Sequence, residues 1–334
     1  MTETAPSLAA PGAGVGRSPR AGLLARRLGA GAGPALAVVA AILALWYLAC
    51  VPMNAAAAVT AAERAGVAVA PETPAERRAL GGWRLAALNP GVAFAGAFSQ
   101  ERARLPAPHQ VAAEWWRSTA LESPGSPRSL LFHAGATLAP TLLGFVLGAA
   151  LGVLLAVGVV HSRAMGLGVM PWAVASQTIP ILALAPMIVV VLASVGLQGL
   201  APKAVISAYL SFFPVVVGMA KGLRTPEPAQ LDLLRTYDAS APQALAKLRL
   251  PASLPYLFAS LKVAVAAALV GAIVGELPTG AVRGLGARLL AGSYYGQTEQ
   301  IWSALVMAAV AASALVGAVT LAERLTLRRM GMGA

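Results

Sequence analysis

Few side chains in this sequence are equipped for chemistry, and their spacing narrows what that chemistry can be. There is one cysteine, Cys50, and there are three histidines, His109, His133 and His161. A lone thiol forms no internal disulfide, and the histidines lack the short intervals that bring two ligands onto one metal, so no metal site is expected. No GxxxxGK run is present to cradle nucleotide phosphates, so this chain is not itself an ATPase. A single acid, Glu276, sits in the apolar stretch "GAIVGELPTG". A polar pair, Gln177 and Thr178, precedes Pro180, and two hydroxyls, Ser207 and Ser211, stand near Phe212. The densest group lies between Asp232 and Ser240, where acids, hydroxyls, leucines and a tyrosine alternate. None of these sets makes a nucleophile–base pair or a carboxylate dyad. Their chemistry is that of contact and passage rather than bond cleavage.

The elements that must position them are set by composition. Of 334 residues 58% are hydrophobic and only 11% charged, and mean hydropathy is +0.72. A soluble chain usually spends about a quarter of its residues on charge. Half that supply, with apolar runs near the length of a bilayer crossing, makes lipid the solvent and predicts an all-α integral membrane protein. Low aromatic content beside abundant small residues suits helices that approach closely. The net charge of +12 does not form one patch with interleaved aromatics, so nucleic acid is not an expected partner.

About six crossings are predicted. The first, 34–53, follows the basic tail 1–33 with Arg17, Arg20, Arg26 and Arg27. This layout also resembles a cleaved leader or, at Cys50, a lipoprotein site; an uncleaved helix is the expectation. Residues 54–129 are polar and broken by prolines, and read as a long extracytoplasmic loop with helical pieces near 75–88 and 108–120. That loop is either a surface-hugging connection or a docking site for a soluble partner. A core of five crossings fills 130–325: 130–160 with the ladder Gly144, Gly148 and Gly152, then 165–195, 204–219, 254–277 and 301–322. The second of these holds Pro171, Pro180 and Pro186 and is expected to be kinked or broken. A tail, 326–334, completes the chain.

Six crossings put both termini on one side. With the tails inside, Arg163, Lys221, Arg224, Arg235, Lys247 and Arg249 are cytoplasmic, against Lys203, Arg283 and Arg288 on the short outer links. That bias follows the positive-inside rule. Glu276 then lies at the outer end of the fifth crossing, either paired with Arg283 or Arg288 or serving as a gate or solute contact. Gln177, Thr178, Pro180, Ser207, Ser211 and Phe212 either line a solute pathway or hydrogen-bond between packed helices.

The inner segment 221–255 reads "KGLRTPEPAQLDLLRTYDASAPQALAKLRLPASLP". It resembles the cytoplasmic loop of binding-protein-dependent ABC importer permeases, which carries an acidic-Ala-Ala triplet, a Gly, then an aliphatic residue and Leu-Pro. Leu250 and Pro251 stand at the Leu-Pro, with Leu248 two residues before. Counting back places Asp238 at the Gly and Asp232, Leu233 and Leu234 at the triplet, with Ala239 and Ser240 retained. Three further stretches resemble the nitrate, taurine and sulfonate branch: "LPAPHQVAAEWW" from Leu105, "SQTIPILALAPMIVV" from Ser176 and "AYLSFFPVVVGMAKGL" from Ala208. The likeness covers roughly 105–325. The outer link ending in Tyr294 and Tyr295 is similar to a sub-branch for nucleobase-like or pyrimidine-like solutes, although paired tyrosines also anchor interfaces.

The resemblance implies the type I ABC importer permease fold in the bacterial cytoplasmic membrane. It implies a second permease copy or paralogue, an extracytoplasmic solute-binding protein, and a cytoplasmic ABC ATPase that binds ATP and Mg, with no cofactor in this chain. It also implies a coupling role for Asp232, Leu233, Leu234, Thr236, Tyr237, Asp238, Ala239, Ser240, Leu250 and Pro251. Physically, such a segment is a handle: a short helix capped at Thr236 or Ser240 and bounded by Pro242 and Pro251. Asp238 either preserves a left-handed turn, which Asp tolerates better than most residues, or makes a specific contact of its own. An integral membrane enzyme would need converging acids or nucleophiles inside the bundle. An ATP-independent secondary transporter would be expected to show inverted repeats or several buried charges.

Overall fold

A computed structural model describes residues 20–331 except residue 101, with side chains from residue 33 onward. The part of the predicted basic tail that holds Arg17, and the last three residues, lie outside the described residues, as do the side chains of Arg20, Arg26 and Arg27. The described residues form helices and turns only.

Helix α1, Arg20–Arg64, is longer than the apolar run that predicts it. Its 45 residues make a rod of about 67 Å, roughly twice the ~30 Å of a hydrocarbon core. The predicted end at Met53 marks where hydropathy falls, but "NAAAAVTAAER" is rich in alanine, the best helix former, and the helix runs on. Cys50 and Val51 at the end of the predicted run, and Ala55 and Val59 on this extension, are buried. Helix α2, Pro74–Ala79, is tied to it by the Arg77–Glu63 ion pair, while α3, Gly82–Leu88, and α4, Pro90–Ala97, fold against it through Leu85, Ala86, Ala93 and Ala97. Residues 54–129 are therefore an organised cap around the end of a helix rather than a loose loop.

Two asparagines hold that cap. Asn54, fully buried, donates from Nδ2 to the carbonyls of Ala97 (3.0 Å) and Leu105 (2.8 Å), and its Oδ1 accepts from the Leu105 N–H (3.1 Å). Asn89 accepts from the Ala70 N–H at 2.8 Å and donates to the carbonyls of Ala70 and Leu85. Loop backbone groups buried here would otherwise go unpaired. Helix α5, Pro108–Trp116, continues through a π turn, Arg117–Leu121, and brings Trp115 onto the core below.

The membrane core is built on α6, Leu130–His161, the pair α7, Arg163–Ser176, and α8, Ile181–Ser194, and α9, Leu200–Leu223. Two short helices, α10, Pro228–Thr236, and α11, Ala241–Ala244, lead through a π turn, Leu245–Arg249, into α12, Leu250–Glu276. Helices α13, Leu285–Tyr294, and α14, Thr298–Arg329, complete it. Among the described residues five helices are long and apolar enough to cross a bilayer. The α7–α8 pair bends by 102° and counts as a sixth crossing if taken as one span.

Packing of α9 decides that question. A Cβ built on Gly144 would lie 2.3 Å from Ser207 Cβ, one on Gly148 2.1 Å from Ser211 Oγ, and one on Gly152 2.7 Å from Val215 Cβ. The partner numbers rise together, so α6 and α9 run parallel. On the other side of α9, Gly218 and Gly222 meet Ser260 and Ser253, while Gly271 meets Ser207, so α12 runs antiparallel. Parallel α6 and α9 both run from the cap side to the coupling side, so the chain between them must return across the bilayer. Neither α7 nor α8, with 14 residues each and about 21 Å of rise, spans it alone. Together they form one broken crossing, with Pro180 as the residue before α8, and the count is six. Near the cap side Ala304 and Met307 of α14 pack on Leu130 and Leu285. Deeper in the bundle, Lys262 of α12 pairs with Glu323 of α14 at 2.5 Å.

Lipid supplies no hydrophobic drive between helices, so this contact rests on how near the backbones come. Gly148→Ala places a methyl into the Ser211 hydroxyl and the Ala208 carbonyl, 2.7 Å away. It should destabilise by about 1–3 kcal/mol through overpacking. Gly135→Ala on the same helix meets nothing within 4 Å and should be neutral or stabilising by up to about 1 kcal/mol. Thermal denaturation of the two variants in one detergent checks the contrast.

Candidate functional site

Two places in this frame gather the residues singled out from sequence, one at each end of the bundle. At the inner end the chain leaves α9 at Leu223, which is buried with Met219 and Ala220 against Val157 and Val160 of α6 and Leu250 of α12. Arg249 Nη1 donates to the Leu223 carbonyl (3.4 Å) across the base of the segment. Leu250 is thus an anchor in the bundle, and Pro251 opens α12, where a missing N–H is harmless.

Helix α10 starts with Glu227 and Pro228, and Gln230 Oε1 accepts from the Glu227 N–H at 3.0 Å. It stops in a Schellman turn. The Ala239 N–H bonds the Leu234 carbonyl (3.0 Å) and the Asp238 N–H bonds that of Arg235 (2.9 Å). Such a turn needs a left-handed residue, and Asp238 supplies it with φ of +52°, the one non-glycine positive φ among the described residues. The left-handed turn expected of Asp238 is therefore present. Ser240 then precedes α11, with Gln243 Oε1 accepting from its N–H at 2.8 Å and Pro242 in the first turn. Thr236 is not a cap; it ends α10, and its hydroxyl donates back to the Leu233 carbonyl (2.7 Å). The handle is two short helices joined by a tight turn, where one was expected.

The faces of α10 divide cleanly. Leu231 and Leu234 look onto a cleft of about 230 Å³ shared with His161, Ala239, Ala244 and Arg249. Leu233 and Tyr237, four residues apart and not part of that cleft, are 58% and 77% exposed. Asp232 and Arg235 form an exposed pair at 2.7 Å beside them, of a kind that adds little stability. No residue of α10 or α11 is buried. The element thus presents an uncovered leucine and tyrosine outside the apolar span.

At the outer end Glu276 pairs with neither Arg283 nor Arg288, contrary to one expectation. Its side chain is fully buried. Oε1 accepts from the Thr137 hydroxyl of α6 (2.8 Å), and Oε2 accepts from the Gly286 N–H in the first turn of α13 (2.6 Å). The Leu285 N–H donates to Thr137 Oγ1 (2.8 Å). Helix α13 begins after Gly284, which has no side chain to cap it, so α6 and α12 satisfy its free amides from outside. Gly284 holds φ of +131°, and a Cβ there would lie 2.2 Å from Glu276 Cδ. His133 completes the joint: Nδ1 accepts from the Gly284 N–H (3.1 Å), and Nε2 donates to the Pro127 carbonyl (2.9 Å). Arg283 instead lies over the Phe132 ring at 5.2 Å. Arg288 is half-buried, and desolvation pulls its pKa below the usual guanidinium value.

The predicted pathway residues separate. Ser207, Ser211 and Phe212 are buried, the serines in the seam with α6, where Ser211 Oγ donates to the Gly144 carbonyl (3.3 Å). The Ser207 hydroxyl is buried without a partner. These three line no open path in this conformation; tight packing of α9 took the space that sequence left free. Gln177, Thr178 and Pro180 are exposed at the 102° bend. There the Tyr209 hydroxyl of α9 donates to the Ser176 carbonyl, and Thr178 Oγ1 donates to that of Ala175 (2.7 Å). Tyr294 and Tyr295 are exposed. Reasoning from sequence missed Thr137 as the partner of Glu276 and His133 as the partner of Gly284, and nothing in a lone Thr or His marks it as such.

Thr137→Val removes the hydroxyl that serves both Glu276 and the Leu285 N–H, leaving two buried groups short of a partner. It should cost about 2–4 kcal/mol, read as a lower melting temperature, while Thr141→Val, whose hydroxyl bonds only the Thr137 carbonyl in its own helix, should cost under half as much. At the other end, Asp238→Gly should preserve α10. Asp238→Val adds about 1–2 kcal/mol of left-handed strain, which hydrogen exchange would show as faster exchange of the Asp238 and Ala239 amides.

Comparison with known proteins agrees with this architecture. A probable ABC transporter permease protein of Haemophilus influenzae is 35% identical over 193 residues, covering 55% of this chain and 77% of that protein. The formylaminopyrimidine transport permease protein ThiX of Halalkalibacterium halodurans is 36% identical over 159 residues, 47% of this chain and 62% of its own. The riboflavin transport system permease protein RibX of Chloroflexus aurantiacus is 30% identical over 224 residues, 67% of this chain and 80% of its own. The family model for the binding-protein-dependent transport system inner membrane component matches residues 148–331, more than half the chain. With six crossings and an uncovered inner handle, the chain belongs to that family, as a multi-pass inner-membrane permease subunit of an ABC importer for small solutes.

Proposed function

We propose that α10 and α11 are the surface by which a separate cytoplasmic ATPase drives this permease. The observation that carries this is the solvent-facing pair Leu233 and Tyr237 on a helix fixed at both ends, by the Leu223–Leu250 anchor and by the Asp238 turn. Leu233 and Tyr237 enter an apolar groove of the motor, and Asp232, Asp238 and Ser240 meet polar or basic groups at its rim. Because α11 runs through the π turn into α12, displacement of the handle is delivered directly to that helix and, through its glycine–serine seam, to α9. ATP and Mg belong to the motor, and this chain contributes only the lever.

Two permease copies, or this chain and a paralogue, enclose the pathway, and an outer binding protein delivers the solute. The bend at Gln177, Thr178 and Pro180 lies on an exposed face of the single chain, which suits a surface that meets a second copy across a path. The named relatives carry formylaminopyrimidine and riboflavin, and others of lower identity carry aliphatic sulfonates and nitrate. A small polar solute of the sulfonate or nitrate type, or a nucleobase-like ring compound, is the class this supports.

Co-purification with the candidate ATPase tests the reading. The intact chain should retain the ATPase through size exclusion, and deletion of residues 232–247 should abolish retention. Leu233→Asp combined with Tyr237→Ala should weaken it by roughly tenfold or more, the scale of truncating a central aromatic anchor. Retention that is unchanged by the deletion would refute the docking role.

A further inference from the structure

At the outer mouth a cavity of about 300 Å³ opens between the end of α8, the start of α9 and the loop that follows α12. Its wall includes Val189, Ala193, Gln198, Lys203, Thr279 and Ala281, and no carboxylate lines it. Lys203 is half-buried, and among the described residues no hydrogen bond or ion pair engages its ammonium. The acid behind the wall is Glu276, which interacts with Lys203 through charge but forms no ion pair with it, its two oxygens bonding Thr137 and Gly286. Thr279 is held at the rim by bonds from its hydroxyl to the carbonyls of Gly275 (3.1 Å) and Glu276 (3.0 Å). A cation without a direct ion-pair partner, in a concave and partly apolar wall, presents positive potential to the space it lines.

We propose that Lys203 makes this cavity a reception site for the anionic group of the transported solute, a small molecule bearing a carboxylate, sulfonate or nitrate-type oxyanion. The ammonium supplies charge, and Gln198 supplies an amide donor. Val189, Ala193 and Ala281 accept the apolar part of the solute. The site lies on α9, the helix that the coupling handle moves, and beside α8, which continues from the Gln177–Pro180 bend. This inference rests on the importer reading and assigns the class of solute to a particular place in it.

The test reads electrostatics at the site without needing the solute. In the full complex with Cys50→Ala, a thiol is placed on the wall by Thr279→Cys, or by Ala281→Cys should the first disturb folding. It is then labelled with 2-sulfonatoethyl or 2-trimethylammonioethyl methanethiosulfonate, each rate being normalised to that with 2-mercaptoethanol. With Lys203 present the anionic reagent should be preferred by about fivefold, the scale of one charge at short range in a partly solvated cleft. Lys203→Gln should remove the preference, Lys203→Glu should invert it and Lys203→Arg should keep it. Any change in thiol ionisation affects both reagents alike and cancels in the ratio. A ratio indifferent to Lys203→Gln would overturn the proposal, as would failure of either reagent to reach the thiol. The preference should persist in bilayers of phosphatidylcholine with or without phosphatidylglycerol. Its loss on adding the anionic lipid would assign the cavity to a lipid headgroup and refute the solute role. Failure of the importer reading would appear separately, as loss of ATPase co-elution with labelling unaffected.

Discussion

The structure depends on how closely α9 can lie between α6 and α12. Inside a bilayer, apolar side chains gain nothing by leaving lipid for one another, so attraction comes from many short-range contacts and from backbone groups brought near. Glycines at 144, 148 and 152 on one side and at 218, 222 and 271 on the other remove the atoms that would hold these helices apart. The serines opposite most of them are small enough to nest, and Ser211 also bonds across to the Gly144 carbonyl. Because α6 and α9 then run parallel, α7 and α8 must return the chain across the membrane in two pieces. The bend that carries Gln177 and Thr178 follows from packing elsewhere.

Under the proposed coupling role, the same contact is also the route by which movement is transmitted. A handle that projects from a flexible link would absorb a push, whereas α11 passes without interruption of helical structure into α12. At its other end the handle is tied by burial of Leu223, and the left-handed turn at Asp238 fixes the joint between its two helices. Displacement therefore reaches α12 as a rigid element, and the seams with Ser253, Ser260 and Ser207 carry it to α9. Interfaces this tight shift between discrete arrangements rather than deform smoothly, which is what an alternating pathway requires.

Buried polar groups do the complementary work outside the core. Glu276, Thr137 and His133 satisfy the amino end of α13 and the Gly284 turn, and Asn54 and Asn89 satisfy the loops of the cap. Each joins segments distant in sequence, and each leaves few donors or acceptors unmet. The cap itself stands on the outer extension of α1, so the first crossing and the outer layer are one continuous rod.

The amino-acid sequence by itself determined the solvent, an expectation of about six crossings and the place of the segment that forms the handle. Those follow from local properties: run length against bilayer thickness, Lys/Arg bias, proline positions, and the Asp232 to Pro251 spacing that resembles a known loop. Even the turn at Asp238 was legible, because few residues other than glycine and asparagine tolerate that backbone. Tertiary structure alone decided which polar residues face space and which face protein. Ser207, Ser211 and Phe212 look like pathway residues in sequence and are buried, while Lys203 looks like an ordinary link residue and lines a cavity. The partners of Glu276 come from 139 and 10 residues away, so no window along the chain contains them. A side chain's environment is set by which helix lies against it, and that depends on the sum of many weak contacts that no single segment records.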